Sequence, residues 1–240
     1  MPNIRICCIA ASEAVRHASI YLSQAGFEVT DQPSSDVTHL LLPVPSFASG
    51  NEYLYPILKA LSQNVTIVGG NLDAVPEGYR TIDLLQDPYY LARNAAITAQ
   101  CAMKLIGRGL QGLPVLILGW GRIGKCLGKF LTEAGAEVTI AARRNTDLAL
   151  LQALGYRCVP IDSLQGNPLP YKAILNTVPA MILPDPKVKD CVVLELASKP
   201  GVSGRGIISA RGLPGKYAPE ESGRLIVETM IRLTLNKEDN

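Results

Sequence analysis

The chain has 240 residues, 48% of them hydrophobic and 18% charged, so it can bury a substantial core and intrinsic disorder is disfavoured. Its 23 basic and 21 acidic residues leave a net charge of only +2, which gives no bulk electrostatic reason to expect a nucleic acid or membrane surface as partner. No apolar run approaches the roughly 20 residues of a membrane span, and the N-terminus does not look like a secretory signal. We therefore expect a cytoplasmic globular protein of one large or two modest domains.

The six cysteines lie in or beside strand-like and helix-like apolar segments. Their spacing shows neither CxxC nor a Cys/His ligand pattern. Reduced thiols are the expectation, and neither a disulfide framework nor a metal site is predicted.

Strand-like and helix-like segments alternate along the first part of the chain, beginning with IRICCIA and SEAVRHASIYLSQAG. The strand-like runs are apolar throughout, as in a parallel sheet that is covered on both faces. Apolar and small residues then recur at helical spacing up to the glycines at 109 and 112. These patterns predict a first α/β domain over residues 1–108, ending in a linking helix over about 90–108.

A second alternating series begins at LPVLILGWGRIGKC and predicts a nucleotide-binding domain over residues 109–216, with five or six strands. Residues 1–108 carry 7 basic and 9 acidic side chains, whereas residues 109–240 carry 16 and 12, so the positive surplus lies in the second part. Residues 217–240 predict a C-terminal helix. Its apolar stripe must pack against another element, and consists of Leu225, Ile226, Thr229, Met230 and Leu233.

The strongest local signal is a glycine-rich hexapeptide that directly follows an apolar strand-like run and opens a helix-like segment. In a dinucleotide-binding turn, the first glycine allows the tight turn, the second lets the backbone approach a pyrophosphate, and the third lets the helix approach the strand. The alternative is a glycine-rich turn that binds nothing. The predicted cofactor residues of this turn are Gly119, Trp120, Gly121, Arg122, Ile123 and Gly124.

Cofactor specificity in such domains is set at the end of the following strand. Here Ala142 is followed by Arg143 and Arg144, where an NAD enzyme usually has an Asp or Glu for the ribose hydroxyls. Guanidinium groups suit a 2′-phosphate, so we expect NADP(H). If the arginines are solvated loop charges, the cofactor is NAD instead.

Two later loops follow strand-like runs and are predicted to face the nicotinamide, because ligands bind at the carboxyl ends of parallel strands. Their proline and glycine residues are also compatible with ordinary turns. The predicted contacts in these loops are Thr177, Val178, Pro179, Ala197 and Ser198.

Catalytic side chains are harder to assign. The only histidines are His17 and His39, and a histidine in the last loop of the cofactor domain would be needed for a standard 2-hydroxyacid dehydrogenase, so that class is disfavoured. Lys199 is the first candidate for binding a substrate carboxylate and Lys216 the second. Weaker polar candidates on the substrate side are Ser46, Ser49, Asn94 and Thr98.

Taken together, the ordered motifs resemble the A-subunit family of bacterial dipicolinate synthase. The resemblance extends through most of residues 113–235 and is looser in residues 1–108. The motifs that carry it are Gly119 to Gly124, Ala142-Arg143, the run from Asn176 to Leu183, the run from Leu194 to Gly201 and the run from Gly212 to Pro219.

The resemblance implies a fold like that of formate and glycerate dehydrogenases: a flavodoxin-like first domain, an NAD(P)-binding Rossmann domain, and a C-terminal helix that returns to the first domain. It also implies formation of pyridine-2,6-dicarboxylate from a dihydro- or tetrahydrodipicolinate precursor during sporulation. NAD(P)+ would be the oxidant, and the partner would be a flavoprotein B subunit. Folds of this kind often form homodimers through apolar helices.

This sequence departs from the family pattern at several positions. Gln100 stands where the family usually has Glu, Val202 and Gly204 stand in place of a Gly and an Asp, and Lys199 replaces an Arg. Two possible proton acceptors are thereby lost. Two alternatives therefore remain: a reductase of another small carboxylate, or a non-catalytic NAD(P)-binding subunit.

Overall fold

The structure is a computed structural model that describes residues 4–47, 52–107, 109–166 and 169–235. The chain divides into two compact units, one formed by residues 1–94 and 214–240 and the other by residues 95–213. Ser49 lies outside the described residues.

The described elements before residue 106 are mostly short strands that alternate with helices. In chain order they are β1 (Arg5–Cys8), α1 (Glu13–Gln24), β2 (Glu28–Thr30), β3 (His39–Leu41), α2 (Leu54–Ala60), β4 (Thr66–Gly69), β5 (Arg80–Asp83), a 3₁₀ helix (Leu84–Gln86) and α3 (Pro88–Leu105).

The alternation continues to the C-terminal helix. The elements are β6 (Pro114–Leu118), α4 (Arg122–Glu133), β7 (Glu137–Ala142), α5 (Asn145–Ala153), β8 (Arg157–Pro160), a 3₁₀ helix (Ile161–Leu164), β9 (Ala173–Asn176), β10 (Leu183–Pro184), β11 (Val192–Glu195), β12 (Val202–Ser203), β13 (Ile207–Ser209), α6 (Leu213–Tyr217) and α7 (Pro219–Leu235).

The first unit contains a five-stranded parallel sheet in the order β2-β1-β3-β4-β5. This is the flavodoxin-like order, in which the chain reverses direction between β1 and β3. The central strands are buried, as the apolar sequence runs predict for a parallel sheet that is covered on both faces. That core includes Cys7, Leu40, Leu42, Leu54, Leu58 and Ile67.

The C-terminal helix α7 belongs to the first unit and packs on α1. A Cβ atom on Gly223 would stand 2.7 Å from the Ala14 carbonyl oxygen and 2.8 Å from the Ala18 nitrogen, so the absence of a side chain permits close approach of the helices. Beside this contact, the Tyr21 hydroxyl donates a hydrogen bond to Glu220 at 2.9 Å. The apolar stripe predicted on this helix thus has its partner surface.

The second unit contains a six-stranded parallel sheet in the order β13-β11-β9-β6-β7-β8. Starting from β6 as the first strand, this is the Rossmann order 3-2-1-4-5-6. A small two-stranded sheet pairs β10 with β12. The chain reverses between β6 and β9, and this switch point is where such sheets bind ligands.

The predicted fold class is confirmed: two doubly wound parallel sheets, flavodoxin-like and Rossmann, with a C-terminal helix that returns to the first. The two units meet in sequence inside α3 and α6, whereas the predicted domain boundaries lie at 108/109 and 216/217, and these boundaries stay predictions. Among the described helices, none has the length and apolar character required to cross a membrane.

Candidate functional site

The glycine-rich turn between β6 and α4 is shaped by close contacts at two of its three glycines. Gly119 has φ +100°, and a Cβ there would stand 2.6 Å from Thr177 Oγ1. A Cβ on Gly124 would collide with the Gly119 carbonyl oxygen. At Gly121, by contrast, no heavy atom of the described residues lies within 4 Å of the position of a Cβ, so this residue borders open space. The first and third glycines therefore close the turn, while the second leaves room for a ligand.

The N-terminus of α4 points backbone N–H groups at that open space. Gly121 is the N-cap residue and has no side chain that could accept hydrogen bonds from these N–H groups. Its carbonyl accepts a hydrogen bond from the backbone nitrogen of Lys125 at 2.9 Å. The first N–H groups of a helix have no intrahelical partner. Together with the helix dipole, they make this end of α4 suited to an anion such as a pyrophosphate.

Trp120 lies within the same turn and is partly exposed. Its ring makes an edge contact with Tyr156 at 5.5 Å between centroids, and the Lys125 ammonium lies 6.0 Å from its centroid. The indole nitrogen is buried, and within the described part of the chain it has no hydrogen-bond partner. The chain's single tryptophan is thus held at the edge of the turn.

A cleft of about 440 Å³ extends from this turn across the end of β7. Of its lining, the turn, Ala142, the two arginines and Val178 were predicted from the sequence, whereas the residues from α5, from the second 3₁₀ helix and its C-cap, and from the loop after Pro179 were not. The missed residues share no local motif, and only the sheet order brings them to one edge. They are Asp147, Ile161, Asp162, Gln165, Met181 and Ile182.

The two arginines at the end of β7 differ in their contacts. Arg144 donates to both carboxylate oxygens of Asp147, at 2.8 and 2.9 Å, and this hydrogen bonding raises the pKa of Arg144. Arg143 is exposed and makes neither a hydrogen bond nor an ion pair with any residue that the structure describes. Because Asp147 and Asp162 balance the two arginines, the charged side chains that line the cleft have no net charge.

The ends of β9 and β11 are joined by a buried polar pair. Asn176 donates through Nδ2 to both oxygens of Glu195, at 2.8 and 3.0 Å, and neither side chain is more than 4% exposed. Glu195 also accepts from the backbone nitrogens of Ala197, Gly201 and Val202, at 3.0, 2.8 and 3.0 Å. One carboxylate therefore fixes the shape of the loop that follows β11.

The loop after β9 is fixed by its own side chains. Val178 N donates to Asn176 Oδ1 at 3.0 Å, and Thr177 Oγ1 donates to the Leu118 carbonyl at 2.8 Å. Thr177 thus contacts the last residue of β6, directly before the glycine turn. The hydroxyl is engaged with the protein backbone.

The loop after β11 contains Lys199, the first candidate for a positively charged side chain that binds the substrate. Ala197 is buried, whereas Ser198 and Lys199 are exposed, and Lys199 forms no ion pair with the residues described. Arg211, which was not predicted from the sequence, donates through Nε to the Ala197 carbonyl at 3.1 Å. The register of β13 on β11 brings it there.

The remaining candidates are distributed over both units. Ser46 is fully buried in the first unit, where its hydroxyl donates to the Pro43 carbonyl at 2.8 Å and accepts from Gly70 N at 3.0 Å. Lys216 is exposed on α6 in the same unit, and Thr98 is buried on α3 in the second unit. Their substrate roles stay predictions.

None of the positions that depart from the pattern of the resembling family lines the glycine-turn cleft. Gln100 lines a separate cleft of about 670 Å³ beside Met103 and Phe130. Val202 is buried in β12, and Gly204 has φ +138°. The six cysteines, all of which the structure describes, form no disulfide, and the described residues contain no group of three His, Cys, Asp or Glu side chains that could hold a metal ion.

Comparison with known proteins gives one curated relative with clear similarity. The A subunit of dipicolinate synthase from Bacillus subtilis (strain 168) is 29% identical over 148 residues, which cover 57% of this chain and 50% of that protein. The chain resembles the A subunit of dipicolinate synthase. The match thus covers half of the relative's length, and no protein-family model matches the chain.

Solved structures of the dipicolinate synthase A subunit share the fold over nearly the whole chain. The protein from Bacillus halodurans superposes with a TM-score of 0.78 at 21% identity, over 96% of this chain and 98% of that one. The Bacillus subtilis protein gives 0.74 at 20%, over 97% and 96%. Salmonella D-lactate dehydrogenase gives 0.66 at 12%, over 99% and 97%, so it shares the fold as well.

Proposed function

We propose that this chain is an NADP-dependent oxidoreductase subunit of the dipicolinate synthase A type, which dehydrogenates a dihydro- or tetrahydrodipicolinate precursor to pyridine-2,6-dicarboxylate. The observation that carries the proposal is the glycine turn: two glycines close it by direct contact, while Gly121 and the uncapped N-terminus of α4 face open space. A dinucleotide needs this combination of backbone approach and N–H donors. The similarity to the A subunit of dipicolinate synthase supports the choice of substrate.

The residues present fit such a cofactor. Backbone N–H groups at Arg122, Ile123 and Gly124 would bind its pyrophosphate, and the cleft between Trp120 and Arg143 would hold the adenosine end. The loops from Thr177 to Pro179 and from Ala197 to Ser198 would border the nicotinamide, because they follow the next strands of the sheet. When bound, NADP+ supplies the hydride acceptor.

NADP(H) is proposed over NAD(H) because Arg143 has an unused guanidinium beside Ala142, although Arg144 is engaged with Asp147. The fluorescence of Trp120, the chain's single tryptophan, provides the test. NADPH should quench it at lower concentration than NADH, and the reverse order would refute the assignment. Arg143→Ala should reduce the difference between the binding free energies of NADPH and NADH by about 1–3 kcal/mol, the scale of a charge-assisted hydrogen bond. Arg157→Ala, which removes an exposed arginine at the far end of the neighbouring strand, is the matched control.

For the substrate, Lys199 would bind a carboxylate, with Lys216, Ser46 and Thr98 as further candidates. Each dehydrogenation removes a hydride from a ring carbon and releases a proton to solvent or to a nearby base. Aromatisation of the ring supplies much of the driving force, so the chain's residues need mainly to orient the ring. The test is the appearance of dipicolinate absorbance from the tetrahydro precursor with NADP+, with and without a flavoprotein B subunit. If neither mixture gives it, the substrate assignment is wrong.

A non-catalytic NADP-binding subunit is the second candidate. It is favoured by Gln100, Val202 and Gly204, none of which offers a proton acceptor, and by the position of His17 and His39 in α1 and β3 of the first unit. This candidate predicts tight NADPH binding without turnover in any partner combination. In either case we propose a cytoplasmic homo-oligomer that works with a B subunit.

A further inference from the structure

Arg211 follows β13 at the carboxyl edge of the Rossmann sheet. Ser209 in β13 is paired with Glu195 in β11, and Ala210 N donates to the Glu195 carbonyl at 2.8 Å. Arg211 and Ala197 therefore leave the sheet side by side, each two residues beyond the last pair. The bond from Arg211 Nε to the Ala197 carbonyl, at 3.1 Å, joins the two loops.

The carbonyl that holds Arg211 belongs to a rigid loop. Glu195, itself buried, accepts from Ala197 N and from the backbone nitrogens at Gly201 and Val202. The loop is thus fixed on both sides of Ser198 and Lys199. A guanidinium anchored through Nε to such a loop is already oriented, so it loses less conformational freedom when its other nitrogens bind a ligand.

The anchored guanidinium still has unused donors. Apart from the Nε bond, Arg211 makes no hydrogen bond or ion pair with any residue of the described ranges. Lys199, two residues beyond Ala197, also forms no ion pair there. Two cations thus stand at the ends of adjacent strands without an acidic partner, since every oxygen of the nearby Glu195 carboxylate already accepts from N–H groups.

We propose that Arg211 and Lys199 together form a carboxylate-binding site at the ends of β11 and β13. The two terminal nitrogens of Arg211 bind one carboxylate of a small organic acid in bidentate geometry, and the Lys199 ammonium provides the second positive charge. The inference deepens the proposed function, on which it rests, because it assigns a substrate carboxylate to a residue beyond Lys199. The strand order places this site beyond β9, on the side of the sheet away from the Arg143 cleft.

The alternative role for Arg211 is to tie two loops together. Such a role depends on Nε alone, and its loss would change stability or loop geometry without a selective loss of carboxylate affinity. Arg205 offers a matched control. It is an exposed arginine in the turn before β13, at the opposite end of this strand from Arg211. It forms no ion pair within the described chain.

The experiment measures calorimetric binding of pyridine-2,6-dicarboxylate to the full chain, with and without saturating NADPH. The expected result is that Arg211→Gln weakens dicarboxylate binding by about 10- to 100-fold, the range for losing hydrogen bonds to a charged group. Arg211→Lys keeps the positive charge but loses the two parallel N–H donors of the guanidinium, so its dicarboxylate affinity should lie between those of the unsubstituted chain and Arg211→Gln. Arg205→Gln should bind like the unsubstituted chain, and all variants should bind NADPH equally.

Equal dicarboxylate affinity in the unsubstituted chain and Arg211→Gln would overturn the assignment. So would a lack of dicarboxylate binding to the unsubstituted chain, or an equal loss in the Arg205→Gln control. If Arg211→Gln does not fold, as judged by its thermal transition, Arg211→Lys decides the question. A failure to bind NADPH would contradict the proposed function instead, while the titration without NADPH still tests Arg211.

Discussion

Asn176 and Glu195 end neighbouring parallel strands and are hydrogen bonded side chain to side chain, with Asn176 Nδ2 2.8 and 3.0 Å from the two carboxylate oxygens. Three backbone N–H groups complete the shell of the carboxylate. All these partners are donors, and no cation pairs with Glu195 in the described part of the molecule. Both terminal atoms of the residue 195 side chain must therefore accept hydrogen bonds. A carboxylate has two such oxygens, whereas an amide has only one.

Glu195→Gln should lower the free energy of unfolding by about 1–3 kcal/mol. The new amide group turns one acceptor into a donor that faces other donors, and a buried unsatisfied group costs about 1–3 kcal/mol. Urea denaturation followed by circular dichroism measures the change. Glu133→Gln, which removes an exposed helical acid paired with Lys129, should stay within about 0.5 kcal/mol. Equal stability of the two variants would show that the buried carboxylate is not needed.

Alanine at the third glycine of the turn should lower stability, whereas alanine at the second should lower cofactor affinity. Gly124→Ala should destabilise the chain, because the new Cβ meets the Gly119 carbonyl, even though alanine is otherwise the better helix former. Gly121→Ala should leave the melting temperature unchanged but weaken NADPH binding, since its Cβ enters the open space that the pyrophosphate would use. Thermal melts and Trp120 fluorescence titrations measure the two effects. Unchanged NADPH affinity in Gly121→Ala would contradict the proposed cofactor position.

Asp147→Asn should increase the affinity for NADPH by about 3- to 10-fold while changing that for NADH less, because it releases Arg144 and removes a negative charge beside a 2′-phosphate. Paired fluorescence titrations give the ratio. Glu137→Gln breaks the corresponding exposed pair with Arg157 at the start of β7 and should leave the ratio unchanged. A weaker affinity for both cofactors in Asp147→Asn would instead make Asp147 a ligand for the ribose hydroxyls.

Stability should fall as the solution is acidified below about pH 6.5, in part because of His39. Burial, and to a smaller extent the nearby Arg80, lowers the pKa of His39 in the folded chain. The unfolded chain then binds more protons than the folded one, so the free energy of unfolding decreases as the pH falls. In His39→Gln this contribution is absent, and urea midpoints between pH 7.5 and 5 should fall less steeply. Parallel curves for the two chains would contradict the assignment.

The parts of the fold that depend on short stretches of sequence were predictable. Apolar runs between helical segments indicated parallel sheets because both faces must be covered. Gly119, Gly121 and Gly124 lie in one hexapeptide between a strand and a helix, so their local geometry follows from the turn itself. The strand order and the return of α7 were expected from the family resemblance, and the stripe on α7 indicated only that some partner surface was required.

Contacts that depend on the register of distant strands were not predictable. Arg211 contacts Ala197 only because β13 lies beside β11, and no motif in the sequence between the two residues predicts that pairing. Asp147 was nearer to prediction, since it stands three residues after Arg144 on the first turn of α5, a spacing that favours an ion pair. Because acids that bind the ribose normally lie at the strand end itself, the Asp147 carboxylate that competes for Arg144 from α5 was not predicted.

Gly223→Ala should destabilise the first unit by about 1–3 kcal/mol, the usual scale of overpacking. In an exposed helix the same change would stabilise by up to about 1 kcal/mol, but here the new Cβ would lie 2.7 Å from both the Ala14 carbonyl oxygen and the His17 Cβ. Gly215→Ala on α6 is the matched control, because no heavy atom of the described residues lies within 4 Å of its Cβ position. Urea denaturation of both variants measures the difference. If Gly223→Ala proved as stable as Gly215→Ala, the close packing of α7 on α1 would be wrong, and with it the reason for a glycine in the second turn of the last helix.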